Sequence, residues 1–167
     1  VMVRIGVDNN AIGTVYVNVS GTAGVKGIEE IIGGTGENSY QFYDKWSNST
    51  IVTDTVSGLT KGTLDFSAVS HDLLFRIVAP GKVLVTATVT EGDTTTQYKV
   101  TATGIANIKG GLGNNIYKVE SGGSIAGKLV GGAAAADSGK INILDYSGYG
   151  SAVSLNLTDS PVLFSTV

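Results

Sequence analysis

The sequence is poor in several residue types, and each shortage excludes a class of site. The chain has 167 residues, with no Cys, one His, one Trp and two Pro. Without Cys there is no disulfide framework and no thiolate metal centre, and one His leaves too few ligands for an ordinary zinc site. Charged residues make up only 15% of the chain, against roughly 25% in an average soluble protein.

The charge balance and the distribution of apolar residues narrow the range of partners. The formal net charge is −3, which argues against a nucleic-acid partner. No apolar run approaches the ~18 residues of a membrane span. The hydrophobic fraction of 42% is too high for an intrinsically disordered chain. We therefore expect a folded protein with neither a nucleic-acid partner nor a membrane span.

Glycine and period-two alternation are what the sequence does have. Gly accounts for 24 of the 167 residues, about double the usual share, and helical periodicity is almost absent. Apolar and polar residues alternate instead, as in half-buried strands, over 15–19, 73–78, 83–90, 97–103 and 153–157. The segments 83–90 and 97–103 flank Glu91-Gly92-Asp93, which predicts a hairpin.

The chain also repeats itself. The frame G-I-x-x-I-x-G-G-x-G-x-N-x-Y begins at Gly27 and again 77 residues later at Gly104, and L-D-F/Y-S occurs at 64–67 and, 80 residues on, at 144–147. We interpret 1–167 as one segment of about two degenerate repeats, approximately 15–90 and 91–167, taken from a longer tandem array.

Strands separated by glycine turns, without helices, are typical of a solenoid. The predicted fold is all-β: a right-handed parallel β-solenoid with a hairpin excursion near 83–103. Ile28, Ile31, Ile105 and Ile108 are expected to point inward in one column. The glycines are expected to form turns where a side chain does not fit or where φ is positive, and these are Gly33, Gly34, Gly36, Gly110, Gly111 and Gly113.

The segments 33–41 and 110–118 resemble the hemolysin-type RTX nonapeptide, G-G-x-G-x-D-x-U-x. The wider frame resembles the long repeats of giant secreted bacterial adhesins and of filamentous-hemagglutinin-like surface proteins. This resemblance implies a secreted, cell-surface location in a bacterium and adhesion as the biological role. It also implies that Ca²⁺ is enclosed where the nonapeptide has Asp.

Three residues are candidate Ca²⁺ ligands. Asn38 and Asn115 stand at the Asp position of the two nonapeptides, and Asp137 ends a third, degenerate block at 131–137. An amide oxygen ligates Ca²⁺ but brings no charge. The alternative is that Asn and Gly only form tight turns.

No catalytic residue and no other cofactor is predicted. His71 and Asp72 are adjacent, so strand geometry would point them to opposite faces. Asp65 and Asp145 recur in L-D-F/Y-S. They could form a glycosidase pair only if about 5–10 Å apart, whereas their recurrence favours capping of a turn N–H.

The function expected from the sequence is structural. The segment would be a stalk repeat of an exported surface adhesin, without catalysis. Its partners would be neighbouring repeats of the same chain and a carbohydrate or protein of the host cell or matrix. The alternatives are a calcium-binding RTX-type folding module and a polysaccharide-acting lyase or epimerase module on a β-helix, which the presence of only Arg4 and Arg76 weakens.

Overall fold

The computed structural model describes residues 2–5, 14–17, 25–26, 28–46, 49–54, 61–132 and 139–154. These residues form strands and connecting turns and contain no helix, so none of them provides a helix able to cross a membrane. In chain order the strands are β1 Met2–Ile5, β2 Thr14–Val17, β3 Val25–Lys26, β4 Glu30–Ile32, β5 Ser39–Tyr43, β6 Thr50–Thr53, β7 Gly62–Ala68, β8 Leu73–Ala79, β9 Lys82–Glu91, β10 Thr94–Thr103, β11 Ile105–Lys109, β12 Asn115–Val119, β13 Leu129–Val130 and β14 Asn142–Asp145.

The strands make two sheets of seven. Sheet A has the order β13-β11-β7-β5-β1-β2-β3, and sheet B has the order β14-β12-β8-β9-β10-β6-β4. From β4 to β8, and again from β11 to β14, the chain passes alternately through the two sheets. Neighbours such as β5 and β7, β7 and β11, or β8 and β12 pair in parallel. Each sheet also has antiparallel pairs, so the fold is all-β with mixed, mostly parallel sheets.

The predicted hairpin is present. Strands β9 and β10 pair antiparallel over their whole length, from Glu91 with Thr94 to Val83 with Ala102. Gly92 has φ +59°, as the first central residue of a type II′ hairpin turn requires. The hairpin is inserted into sheet B between β8 and β6. Strand β9 runs against both of its neighbours, whereas β10 pairs in parallel with β6.

The core lies between the sheets and is built from side chains in register across neighbouring strands. The alternation predicted for 73–78 and 83–90 is confirmed, because the odd-numbered residues from Leu73 to Ile77 and from Val83 to Val89 are buried. Two lines of buried residues cross several strands each: Tyr40, Leu64, Ile108 and Leu129 in sheet A, and Val100, Val85, Phe75 and Tyr117 in sheet B.

Aromatic rings in the core also stack from one strand to the next. The rings of Phe42 and Phe66 have centroids 4.4 Å apart, and those of Phe75 and Tyr117 are 4.7 Å apart and almost parallel. Trp46 meets Phe42 and Phe66 edge-on at 5.9 and 5.5 Å. Offset stacks and edge contacts are favourable arrangements of aromatic pairs, and here they connect successive strands of the core.

The prediction that the four frame isoleucines point inward in one column is wrong. Ile105 and Ile108 are buried in sheet A, but Ile28 is 38% exposed and precedes β4, a strand of sheet B. Ile31 on β4 is only partly buried. Strand β4 is the last strand of sheet B, so its side chains have a neighbouring strand on one side only among the described residues.

The two copies of the frame begin on opposite sheets, because the 77-residue offset is not the spacing of strand pairing. We call one passage through both sheets a circuit. Where neither the hairpin nor β2 and β3 intervene, directly paired residues of successive circuits differ by 21 to 27 in number, as in Ile31–Val52, Ile108–Leu129 and Asn115–Asn142. Across the hairpin the difference is 42 to 44, as in Leu64–Ile108. The hairpin occupies 82–103, and the rest of the offset amounts to about two and a half circuits. A half circuit moves the second copy to the other sheet.

One further predicted strand differs from the structure. Residues 151–154 are not in a strand, and Val153 is 40% exposed. The remainder of the predicted strand, 155–157, lies outside the described residues, as does Asp137.

Candidate functional site

The asparagine of the second frame closes the turn between β11 and β12. Asn115 is 0% exposed. Its Nδ2 donates to the carbonyls of Gly111 (3.1 Å) and Gly113 (2.9 Å), and its Oδ1 accepts from the Gly111 amide at 2.9 Å. Nδ2 also donates to Asn142 Oδ1 at 2.7 Å on the neighbouring strand. The side chain thus satisfies buried backbone groups that would otherwise lack partners.

The asparagine of the first frame makes the same turn, with a different partner. Asn38 Nδ2 donates to the carbonyls of Gly34 and Gly36 at 2.9 and 3.0 Å, and to Asp54 Oδ1 at 2.7 Å. Asp54 Oδ1 therefore accepts the hydrogen bond that Asn142 Oδ1 accepts at the other turn, and Asp54 is only 3% exposed. The acceptor is thus the side-chain amide oxygen of Asn142 at the second turn and a carboxylate oxygen of Asp54 at the first.

The Asp54 carboxylate is incompletely bonded. Its Oδ2 is buried without a hydrogen-bond partner among the described residues, and the buried Tyr40 hydroxyl lies beside the same carboxylate. Burial raises the pKa of Tyr40, and the negative charge of Asp54 raises it further. Leaving a charged oxygen buried without a partner costs folding free energy, so this cluster is a weak point of the core.

The first glycine of each frame makes room for the frame's tyrosine. A Cβ on Gly33 would lie 2.2 Å from the Tyr40 hydroxyl oxygen, and one on Gly110 would lie 2.1 Å from that of Tyr117. Neither glycine has a positive φ. Close approach of side chains, and not a left-handed backbone, is therefore what requires glycine here: the tyrosine hydroxyl at both positions, and also Asp54 Oδ1 at Gly33.

The second glycine of the pair is crowded in one frame only. A Cβ on Gly111 would lie 2.7 Å from the carbonyl oxygen of Val69, whereas one on Gly34 would meet no described atom within 4 Å. The turn of the second frame packs against the preceding β7–β8 connection, to which Leu112 donates a backbone hydrogen bond at Val69 O.

The structure does not bring the calcium candidates together. Asn38 precedes β5 of sheet A, and Asn115 opens β12 of sheet B. Each points its amide N–H groups at carbonyl oxygens, which is the geometry of a capped turn. Within the described ranges no group of three or more His, Asp or Glu side chains could hold a metal ion. Calcium binding at these turns stays a prediction.

Both aspartates of L-D-F/Y-S accept a hydrogen bond from the N–H two residues on, which confirms the predicted capping. Asp65 Oδ1 accepts from Ser67 N at 3.0 Å, and Asp145 Oδ1 accepts from Ser147 N at 2.8 Å. Asp65 Oδ2 is also 3.1 Å from Lys109 Nζ. Burial would raise the pKa of Asp65, but these bonds outweigh it and lower the pKa. Asp65 and Asp145 lie on opposite sheets, each held by its own serine.

The neighbours His71 and Asp72 contact different residues. His71 Nε2 lies 3.6 Å from Asp44 Oδ1. Asp72 accepts from Asn114 N at 2.8 Å and from Asn114 Nδ2 at 2.9 Å, and these bonds lower the pKa of Asp72. Both residues join one circuit to another.

A groove that sequence reasoning missed lies on the outer face of sheet B. It has a volume of about 780 Å³ and extends over β12, β8, β9 and β10. Its floor is aliphatic and threonine-rich and includes Ile116, Leu74, Thr86 and Leu84. Two cationic side chains, Arg76 and Lys99, also line it. The predicted hairpin is the feature of the sequence that points to this groove. The local sequence does not show that the hairpin is inserted between β6 and β8.

Comparisons of the chain with protein-family models, with curated proteins and with solved structures gave no match. The function is therefore argued from the geometry of the chain itself.

Proposed function

We propose that this chain is a segment of a parallel β-solenoid, of the right-handed type that crossover chirality favours. The observation that carries the proposal is the alternation of strands between two sheets, with parallel pairing of residues 21 to 27 apart in β4–β6, β5–β7, β11–β13 and β12–β14. Each circuit buries its inward side chains against those of its neighbours, so stacking supplies the core.

Side chains in the connections support this proposal, because they bond one circuit to the next. In each case an oxygen of the earlier circuit accepts a backbone N–H of the later one. The pairs are Asp44 with Ser70, Asp72 with Asn114, Asn114 with Ile141, and Asn107 with Lys128, all at 2.8 or 2.9 Å. Such bonds hold the connections in register outside the sheets.

The biochemical role that we propose is structural. The segment acts as a stalk repeat of an exported bacterial surface adhesin, with neighbouring repeats as its first partners. The support is the resemblance of its glycine frames to repeats of such proteins, together with a body held by backbone pairing and a continuous core. A stalk needs length and stiffness, and stacked circuits supply both.

Small-angle scattering of a tandem fusion tests the stalk. Two copies of the full chain are joined directly, head to tail, and compared with a fusion that carries a long Gly/Ser linker. We expect the direct fusion to keep the cross-sectional radius of a single copy while its maximum dimension nearly doubles. A direct fusion that scatters like the flexible control would contradict the stalk.

Surface labelling tests the location. Antibodies raised against the purified chain should label intact cells of the source organism. Labelling that appears only after the cells are permeabilised would contradict an exported adhesin.

A further inference from the structure

The inserted hairpin builds the groove on sheet B. Two lines of outward residues cross it in register, strand by strand: Ile116, Leu74, Thr86 and Lys99 in the first line, and Lys118, Arg76, Leu84 and Thr101 in the second. Four neighbouring strands spaced about 4.8 Å apart span roughly 14 Å. The groove therefore has the length of a few units of an extended polymer.

The groove offers unused positive charge. Lys99 is exposed, and it makes no hydrogen bond or ion pair with the residues that the structure describes. Arg76 donates from Nε and Nη2 to Glu120 Oε1, both at 2.7 Å, which leaves three of its five N–H donors. Asp72, the acidic residue of the lining, has both oxygens occupied by Asn114. A ligand in the groove therefore meets Lys99 without a described partner, Arg76 paired with Glu120, and the hydrogen-bonded carboxylate of Asp72 at one end of the lining.

The two cations are spaced for two separate anionic groups. Arg76 lies on β8 and Lys99 on β10, with β9 between them and an offset of two residues along the strands, so their backbones are about 12 Å apart across the sheet. Leu84 and Thr86 of β9 lie between them and are half-buried. An aliphatic and hydroxyl floor suits the C–H faces and hydroxyl groups of sugar rings, and the cations suit carboxylates at intervals along the chain.

A peptide strand fits this surface poorly. Extended peptides gain affinity by adding a strand to a sheet edge. Each of β12, β8, β9 and β10 is already paired on both sides, so no main-chain donors or acceptors are available. Recognition must use side chains alone, and the remaining lining is neutral and polar, as in Thr88, Gln97 and Thr101.

From these observations we infer that the groove binds a carboxylated polysaccharide, with Lys99 and Arg76 contacting uronate carboxylates and the β9 side chains contacting the ring between them. This assigns the segment a ligand of its own, beyond the proposed stalk role. It depends on the face of sheet B alone and not on how many circuits are stacked.

Calorimetric titration of the full chain with a hexameric oligogalacturonate at low salt tests the inference. We expect saturable binding that Lys99→Glu weakens by about tenfold or more, since a charge-assisted bond to a carboxylate is lost. Lys99→Gln should weaken it in the same direction. The control is Lys128→Glu, the same charge change at an exposed lysine on sheet A, which should change the affinity less than about twofold.

Several results would overturn the inference. They are no binding of the oligogalacturonate, equal losses in Lys99→Glu and Lys128→Glu, equally tight binding of a neutral glucose hexamer, and tighter binding of poly-glutamate, which would indicate an acidic polypeptide. Thermal melting of each variant checks its fold. The scattering test of the stalk uses a different preparation, so the failure of either proposal is recognised separately.

Discussion

Replacing Asn115 with Asp tests whether the frame needs an amide that donates hydrogen bonds. The change removes the N–H groups that face the carbonyls of Gly111 and Gly113 and the Oδ1 of Asn142, at 3.1, 2.9 and 2.7 Å. A carboxylate oxygen would then face three oxygen acceptors inside a fully buried site. The acceptor for the Gly111 amide is retained, so the substitution isolates the donor function.

The expected loss is large. Each buried group left without its hydrogen bond costs about 1–3 kcal/mol, and an uncompensated buried charge adds to this, giving about 3–5 kcal/mol for Asn115→Asp. Asn115→Ala buries no charge and should cost about 2–4 kcal/mol. In a chain of this size 1 kcal/mol corresponds to about 2–4 °C in melting temperature, so the Asp variant should melt roughly 10 °C or more below the wild type.

The Asp variant should also depend on pH in a defined direction. Burial among oxygens raises the folded pKa of the introduced carboxyl above its unfolded value near 3.9. The charge part of the penalty is therefore absent below about pH 4 and grows as the pH rises through the folded pKa, whereas the loss of amide hydrogen bonds remains at every pH. Urea unfolding followed by circular dichroism at pH 4 and pH 7 measures it.

The matched control is Asn107→Asp on β11. Asn107 Oδ1 accepts the Lys128 amide at 2.9 Å, and its Nδ2 faces the Thr63 hydroxyl at 3.3 Å. That hydroxyl can turn and donate to a carboxylate, so the control should change stability by less than about 1 kcal/mol. If Asn115→Asp in EGTA at pH 7 were as stable as the wild type, the donor role of the amide would be refuted.

Four further predictions concern the turns and the core. Asp54→Asn should stabilise the chain by about 1–2 kcal/mol in urea unfolding, because Asn142 fills the same role at the other turn; reduced stability would argue against a buried, unpartnered carboxylate. Gly111→Ala places a Cβ 2.7 Å from a backbone oxygen and should destabilise by about 2–4 kcal/mol, whereas Gly34→Ala, which meets no described atom, should change stability by less than about 1 kcal/mol; equal losses would refute the packing argument. Burial alone would raise the pKa of Asp65, but its hydrogen bonds and Lys109 lower it. The contribution of the Asp65 carboxylate to folding stability is therefore complete above about pH 4 and disappears as the pH falls through the folded pKa. Acid unfolding of Asp65→Asn should accordingly vary less with pH than that of the wild type, and superimposable curves would contradict this. The melting temperature should be the same in EGTA and in excess CaCl₂, and a rise of several degrees with calcium would establish a calcium site.

Local patterns in the sequence predicted the local structure well. Alternation located the strands over 73–78 and 83–103, and the turn residues Glu91-Gly92-Asp93 located the hairpin. These features depend on neighbours in the chain. By contrast, Ile28 and Ile105 occupy the same position of one frame, but only Ile105 is buried, because burial depends on which strands lie alongside.

In the candidate site, too, local features were predictable from the sequence and long-range contacts were not. The capping role of Asp65 was predictable, since its partner is two residues away. The bond between Asn38 and Asp54 joins residues 16 apart and depends on the pairing of β4 with β6, which the 77-residue offset of the frame does not indicate. The groove could not be predicted because it needs the register of β8 against β9, and Lys99 carries no local mark of a binding residue.

Among the described residues, one kind of bond between circuits has a fixed direction: wherever a side-chain oxygen accepts a backbone N–H of another circuit, the oxygen belongs to the earlier circuit. In the pairs that join the connections, an earlier residue such as Asp44, Asp72 or Asn107 supplies the oxygen, and a later backbone amide supplies the hydrogen. Two segments that meet by like ends could not form these particular bonds, because each end would supply the same member of every pair. A fibre made of such units is therefore directional, and the order in which its repeats follow one another cannot be reversed without losing these bonds.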